Sequence, residues 1–163
     1  MRKLTHLKDV SIVKGNVKIA LDLAQYNDRL KSAQYALDSQ IMNDMVPYMP
    51  HVTGNFVQRT RAESAALAGT GKVCAAVKPF GRYLYYGKVM VNEETGKGPL
   101  KIQNAPGSFI LRYKKGTTLV ATDRPLKYTN PNTEPEWFEV AKKKNMKDWI
   151  SLAQNVLQTG NKP

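Results

Sequence analysis

The sequence predicts an α+β fold: a small antiparallel β-sheet packed by a long helix in the N-terminal half and by a C-terminal helix, with a long protruding loop that carries a hairpin. Three observations predict it. Apolar residues recur at steps of three or four through Tyr26, Leu30, Ala33, Leu37, Ile41 and Met45, the single stripe of an amphipathic helix. Val10 and Ile12, then Val17, Ile19, Leu21 and Leu23, alternate on either side of Lys14-Gly15-Asn16, which is the pattern of two strands joined by a turn. The tract Asn92–Thr122 holds Gly96, Gly98, Pro99, Pro106, Gly107 and Gly116, and a loop of that length inside a small domain is usually functional or disordered.

The elements follow in order. Residues 1–9 form a basic N-terminal arm, and a β-hairpin comes next. Asp22 and Gln25 stand at capping-box spacing where the helical stripe starts. Pro47 and Pro50 end that helix, because proline lacks an amide donor and restricts the residue before it. After a turn at Thr53-Gly54-Asn55, Phe56–Leu67 is expected to begin a strand. Gly69-Thr70-Gly71 turns it into a second strand, Val73–Val77. A short aromatic helix, Phe80–Tyr86, follows Pro79, and Val89-Met90-Val91 departs as an extended segment. Within the long loop, Ser108–Tyr113 and Thr117–Val120 flank Lys114-Lys115-Gly116, which predicts a hairpin with a basic tip. Leu126–Thr129 is a candidate last strand. Thr133 and Glu136 repeat the capping-box spacing, with Pro135 in the first turn. Helix then runs from about Pro135 to Gln158, with Lys142-Lys143-Lys144 on its solvent side and Gly160 as its stop.

Composition bounds what such a chain does. Its 163 residues suit one domain, 1–163, with a core that needs no staples. One cysteine excludes a disulfide framework, and Cys74, between Val73 and Ala75, reads as a small buried hydrophobe. Lys and Arg total 25 against 13 Asp and Glu, a net charge of +12. That balance favours nucleic acid, acidic protein surfaces or anionic membrane as partners. No signal-peptide run and no bilayer-length apolar stretch is present, so a soluble protein with no membrane partner is expected.

Motifs of chemistry are weak. Gly69-Thr70-Gly71-Lys72 lacks the glycine spacing and the following Ser or Thr of a phosphate loop, and Gly96-Lys97-Gly98 runs into Pro99. His6 and His51 stand alone, so neither a metal site nor a nucleophile–base pair is expected. Glu93-Glu94 is read as a solvated loop, and Tyr83, Tyr85 and Tyr86 as packing residues. The expectation is a non-enzyme without cofactor. No helix-turn-helix, zinc finger or RNA-binding sheet motif accompanies the basic charge. A basic, non-specific nucleic-acid-binding module is the competing reading.

Four segments resemble a known family. Pro50–Phe56, Pro79–Val91, Thr122–Tyr128 and Glu136–Lys142 look like the small minor capsid proteins of long-tailed phages of Gram-positive hosts, relatives of head–tail joining and tail-completion proteins. They fall in the family's order, and the resemblance runs from about residue 24 to 155. The resemblance implies a long helix against a small antiparallel sheet. It implies a virion protein, made in the host cytoplasm, that forms a ring in the neck, most often a hexamer. Portal-side connector and tail-terminator proteins would adjoin it, and phage DNA would pass through with weak, non-specific contact. Asn92–Thr122 would then be the element that reaches a neighbour, by strand addition to a sheet edge. Its candidate contact residues are Phe109, Leu111, Arg112, Lys114, Lys115 and Leu119.

Overall fold

The computed structural model describes residues 7–21, 23–51, 54–78 and 81–160. Elements run in the order β1 (Val10–Lys14), β2 (Val17–Leu21), α1 (Ala24–Met45), a 3-10 turn (Val46–Tyr48), α2 (Asn55–Leu67), α3 (Gly81–Tyr86), β3 (Lys88–Asn92), β4 (Leu100–Ala105), β5 (Ser108–Arg112), β6 (Leu119–Pro125) and α4 (Trp137–Thr159). The fold is α+β, with antiparallel strands, a long N-terminal-half helix and a C-terminal helix, as expected. The strands are shared among three separate two-stranded ribbons, β1–β2, β3–β6 and β4–β5.

The helices make the core. Leu37, Ile41 and Met45 of the predicted stripe are buried, together with Met42, Met49, Val57, Trp137, Ala141 and Trp149. A smaller cluster joins Ala33 and Ala36 to Val156. Helices α1 and α4 run antiparallel. Arg29 at the start of α1 donates to the carbonyls of Leu157 and Gln158 at the end of α4, a cation where the helix dipole is negative. Toward the other end, Trp149 Nε1 donates to Asp44 Oδ2 at 2.6 Å. Trp137 is fully buried, donates to the Ala75 carbonyl at 2.8 Å and meets Tyr85 edge-on at 4.9 Å.

Several expectations are corrected. Asn55–Leu67 is a helix, not a strand. Its buried stripe is Val57, Thr60 and Ser64, and the polar members hid the helical period. Val73–Val77 is irregular, bends at Ala75-Ala76 and forms no strand, contrary to expectation. Its backbone groups are taken by side chains instead: Ser64 Oγ donates to Cys74 O and accepts from Cys74 N, both at 3.0 Å, and Thr60 Oγ1 accepts from Val77 N. With those groups engaged, no ladder forms. Cys74 is only half-buried. The last strand is Leu119–Pro125 rather than Leu126–Thr129, because Lys88–Asn92 offers the antiparallel partner.

The second predicted capping box, Thr133 with Glu136, is not formed. Asp22 lies outside the described residues, α1 starts after Leu23 without a side-chain cap, and Asp9 Oδ1 accepts from Leu23 N at 2.9 Å. Thr133 Oγ1 donates to the Met49 carbonyl, and Glu136 takes the cap position of α4 at φ 51°. Pro47 falls in the 3-10 turn that ends α1, α3 covers Gly81–Tyr86 of the expected aromatic helix, whose Phe80 lies outside the described residues, and Gly160 closes α4 at φ 71°. Residues 1–6 of the basic arm and Thr53 of the predicted turn lie outside the described residues.

Candidate interaction surface: the arm and the groove at its root

The long loop is built on the β3–β6 ribbon. Asn92 faces Leu119 in the register, and Glu93 N donates to Thr118 O at 3.0 Å. Beyond that pair the chain leaves as a turn and then as the β4–β5 ribbon. Asn92 organises the turn: its side-chain oxygen accepts from Glu94 N and Thr95 N, and its amide donates to Lys97 O. Glu93 and Glu94 are exposed on it.

The expected hairpin between Ser108–Tyr113 and Thr117–Val120 is not formed. Strand β5 pairs backwards with β4, so that Leu100 faces Arg112, Ile102 faces Ile110 and Gln103 faces Phe109. The tip is Pro106-Gly107, with Gly107 at φ 75°, the left-handed conformation such a turn needs. Sequence reading missed this because β4 carries an apolar residue at only Leu100, Ile102 and Ala105. Lys114-Lys115-Gly116 is a turn at the root, where the arm re-enters the body.

The candidate contact residues therefore separate. Phe109 and Arg112 are exposed on β5, and Leu111 is on the same strand, opposite Lys101, with its side chain outside those described. Phe109 shares its face with Lys101, whose Nζ lies 4.0 Å over the ring. Lys114 and Lys115 are exposed at the root. Leu119 belongs to the body, half-buried on β6 in a mixed cavity of about 500 Å³ with Arg82, Tyr86 and Glu136.

Both faces of the arm carry exposed apolar side chains. Leu100 and Ile102 lie on one face, 50% and 42% exposed, and Phe109 lies on the other at 49%. Between Gly96 and Val120 the cations are Lys97, Lys101, Arg112, Lys114 and Lys115, with no acidic residue. Where the arm joins the body, Tyr113 Oη donates to the Met90 carbonyl at 2.6 Å. Beside that bond lies a predominantly apolar groove of about 620 Å³, lined by Tyr83, Leu84, Met90, Pro99, Ile110 and Leu126.

Among the described residues no cluster of three or more His, Cys, Asp or Glu side chains could hold a metal ion. No described helix is long and apolar enough to cross a membrane. No family model matches this chain, and no curated protein and no solved structure matches it.

Proposed function

We propose that the chain is a structural virion protein of the head–tail connector, forming a ring, most simply a hexamer, that joins the capsid portal complex to the tail and surrounds the DNA path. It acts by shape and charge, without a chemical step. The observation that carries this reading is the β4–β5 arm. It is a two-stranded ribbon with apolar residues exposed on both faces and an unpaired edge on each strand. Such a ribbon is marginal by itself in water and is a template for strand addition. The four segments that resemble minor capsid proteins support the same reading. The cationic arm and root suit acidic surfaces on the adjoining portal-side and tail-terminator rings.

The register supplies a clean test. Replacing residues 94–117 by Asn-Gly would close β3 and β6 through a two-residue hairpin, because Glu93 and Thr118 are already hydrogen-bonded neighbours. The shortened protein is expected to fold as a monomer that makes no ring and joins no tails to capsids. Ring formation by the shortened protein would overturn the proposal. A gel shift at moderate salt addresses the competing reading: a connector binds free duplex weakly, whereas tight binding with a steep salt slope marks a nucleic-acid-binding module.

A further inference from the structure

We infer that the β1–β2 ribbon of one copy lies in the apolar groove at the root of the next copy's arm, with Lys14 at the ribbon tip against the Glu93–Glu94 turn. This deepens the ring reading and rests on it.

The ribbon is anchored at its base and unpartnered along its length. Buried Asn27, in the first turn of α1, holds the backbone of Leu7 from both sides: its Oδ1 accepts from Leu7 N at 2.9 Å and its Nδ2 donates to Leu7 O at 2.8 Å. Asp9 fixes Leu23 N on the other strand's exit. A buried polar side chain is thus committed to aiming the ribbon. Yet Ile12 and Ile19, which face each other in the register, are 57% and 55% exposed. Val10 and Val17 are exposed on the same face. Lys14, paired with Val17, ends that face. An isolated ribbon with its apolar face in water is marginally stable, and a built anchor makes sense only if something covers that face.

The chain supplies a match. The groove is predominantly apolar, with Lys88 also in its lining, and is about 620 Å³ in volume. It runs along β3 at Met90, and β3 leads directly into the exposed Glu93–Glu94 turn. A largely apolar strip ending in a cation thus meets a largely apolar groove whose β3 wall continues in the chain to two exposed carboxylates. Neither Lys14, Glu93 nor Glu94 makes an ion pair among the described residues. Ribbon and groove lie on different elements of one subunit, so their contact is head-to-tail, the kind that closes into a ring when the rotation closes. A foreign acidic strand is the rival occupant. Laid on the ribbon it would satisfy Lys14 but leave the groove uncovered, and seated in the groove it would set like charge against Glu93 and Glu94.

The test uses the full chain in three forms. Ile12→Thr/Ile19→Thr keeps strand propensity and removes the two central isoleucines of the apolar face, and is expected to raise the concentration for ring assembly at least tenfold in analytical ultracentrifugation. Lys14→Glu is expected to weaken assembly, and Glu93→Lys/Glu94→Lys in the same chain to restore it. In a Cys74→Ser background, chains carrying Ile12→Cys are mixed with chains carrying Ile110→Cys and treated with a short thiol cross-linker. Heterodimers are expected from the mixture and none from either chain alone. Unchanged assembly of the threonine variant with no cross-link overturns the ribbon assignment and leaves the ring standing. A full chain that stays monomeric at every concentration overturns both.

Discussion

Asp38 holds more of the fold than a polar position on α1 implies. Its carboxylate is 2% exposed, accepts from Gln34 Nε2 at 2.7 Å, and receives the amides of Gly69 and Gly71 at 2.9 and 3.0 Å. It thereby clamps the turn after α2 onto α1. Asp38→Ala strips those buried donors of a charged acceptor, so a loss of about 2–4 kcal/mol is expected, read as a lower urea midpoint. Gly87 is equally constrained. It sits at φ 60°, and an added Cβ would come 2.9 Å from Pro135 Cβ and 3.0 Å from Tyr128 Oη. Gly87→Ala is expected to cost about 1–3 kcal/mol and to loosen α3 from the segment before α4 in hydrogen exchange. Tyr85 supplies a pH dependence. Burial, then the charges of Glu139 and Glu136, push its phenol up to about 12. Between pH 10 and 12 the unfolded chain gives up a proton that the folded chain keeps, so the contribution is complete below pH 10 and is lost as pH rises through 12. Denaturation midpoints taken from pH 9 to 12 should fall less steeply for Tyr85→Phe than for the parent. Tyr113 and Tyr128, raised mainly by burial, leave it part of the slope.

Among the elements, α2 and the arm show how side chains redirect the backbone. The Ser64 hydroxyl satisfies both polar groups of Cys74, so the 73–77 segment is held to a helix instead of to a strand. Ser64→Ala leaves a donor and an acceptor unpaired and should cost about 1–3 kcal/mol, measurable as a shift in thermal midpoint. The arm behaves oppositely: its ladder is complete within itself, and it touches the body chiefly through Tyr113 and the groove. Replacing residues 94–117 by Asn-Gly should therefore leave the thermal midpoint of the helical body almost unchanged, while assembly disappears. A collapse of the midpoint would show that the arm is part of the core.

For the whole molecule, the two kinds of contact should part company in salt. The proposed ribbon-in-groove burial between copies would be mainly apolar and is expected to persist as salt is raised. Docking of a chain with net charge +12 onto acidic neighbouring rings is expected to fall steeply, since screening shortens to a few ångströms at high salt. Sedimentation of the proposed ring alone, and with purified portal-side or tail-side proteins, at low and high salt separates the terms. Salt-indifferent docking would mean that the basic surface faces neither an acidic ring nor DNA.

Local patterns were enough for the elements whose partner is adjacent in sequence or whose stripe is apolar. Helix α1, the β1–β2 ribbon, the short α3 and helix α4 with its glycine stop all declare themselves through period and turn residues, because each makes its own backbone hydrogen bonds. Where backbone groups bond across distance, sequence reading failed. Helix α2 buries Thr60 and Ser64, whose value lies in reaching Cys74 and Val77 rather than in being apolar. Strand β5 had two possible partners on either side of it, and only the folded chain selects β4 and carries the basic turn to the arm's root. Arg112, Lys114 and Lys115 were legible as an exposed cationic group; the groove beside them was not, since Tyr83, Met90 and Ile110 come from three elements and Pro99 from the segment before a fourth. Period and turn chemistry are properties of neighbouring residues, whereas pairing choice and cavities arise only when distant segments compete for the same hydrogen bonds and the same apolar surface.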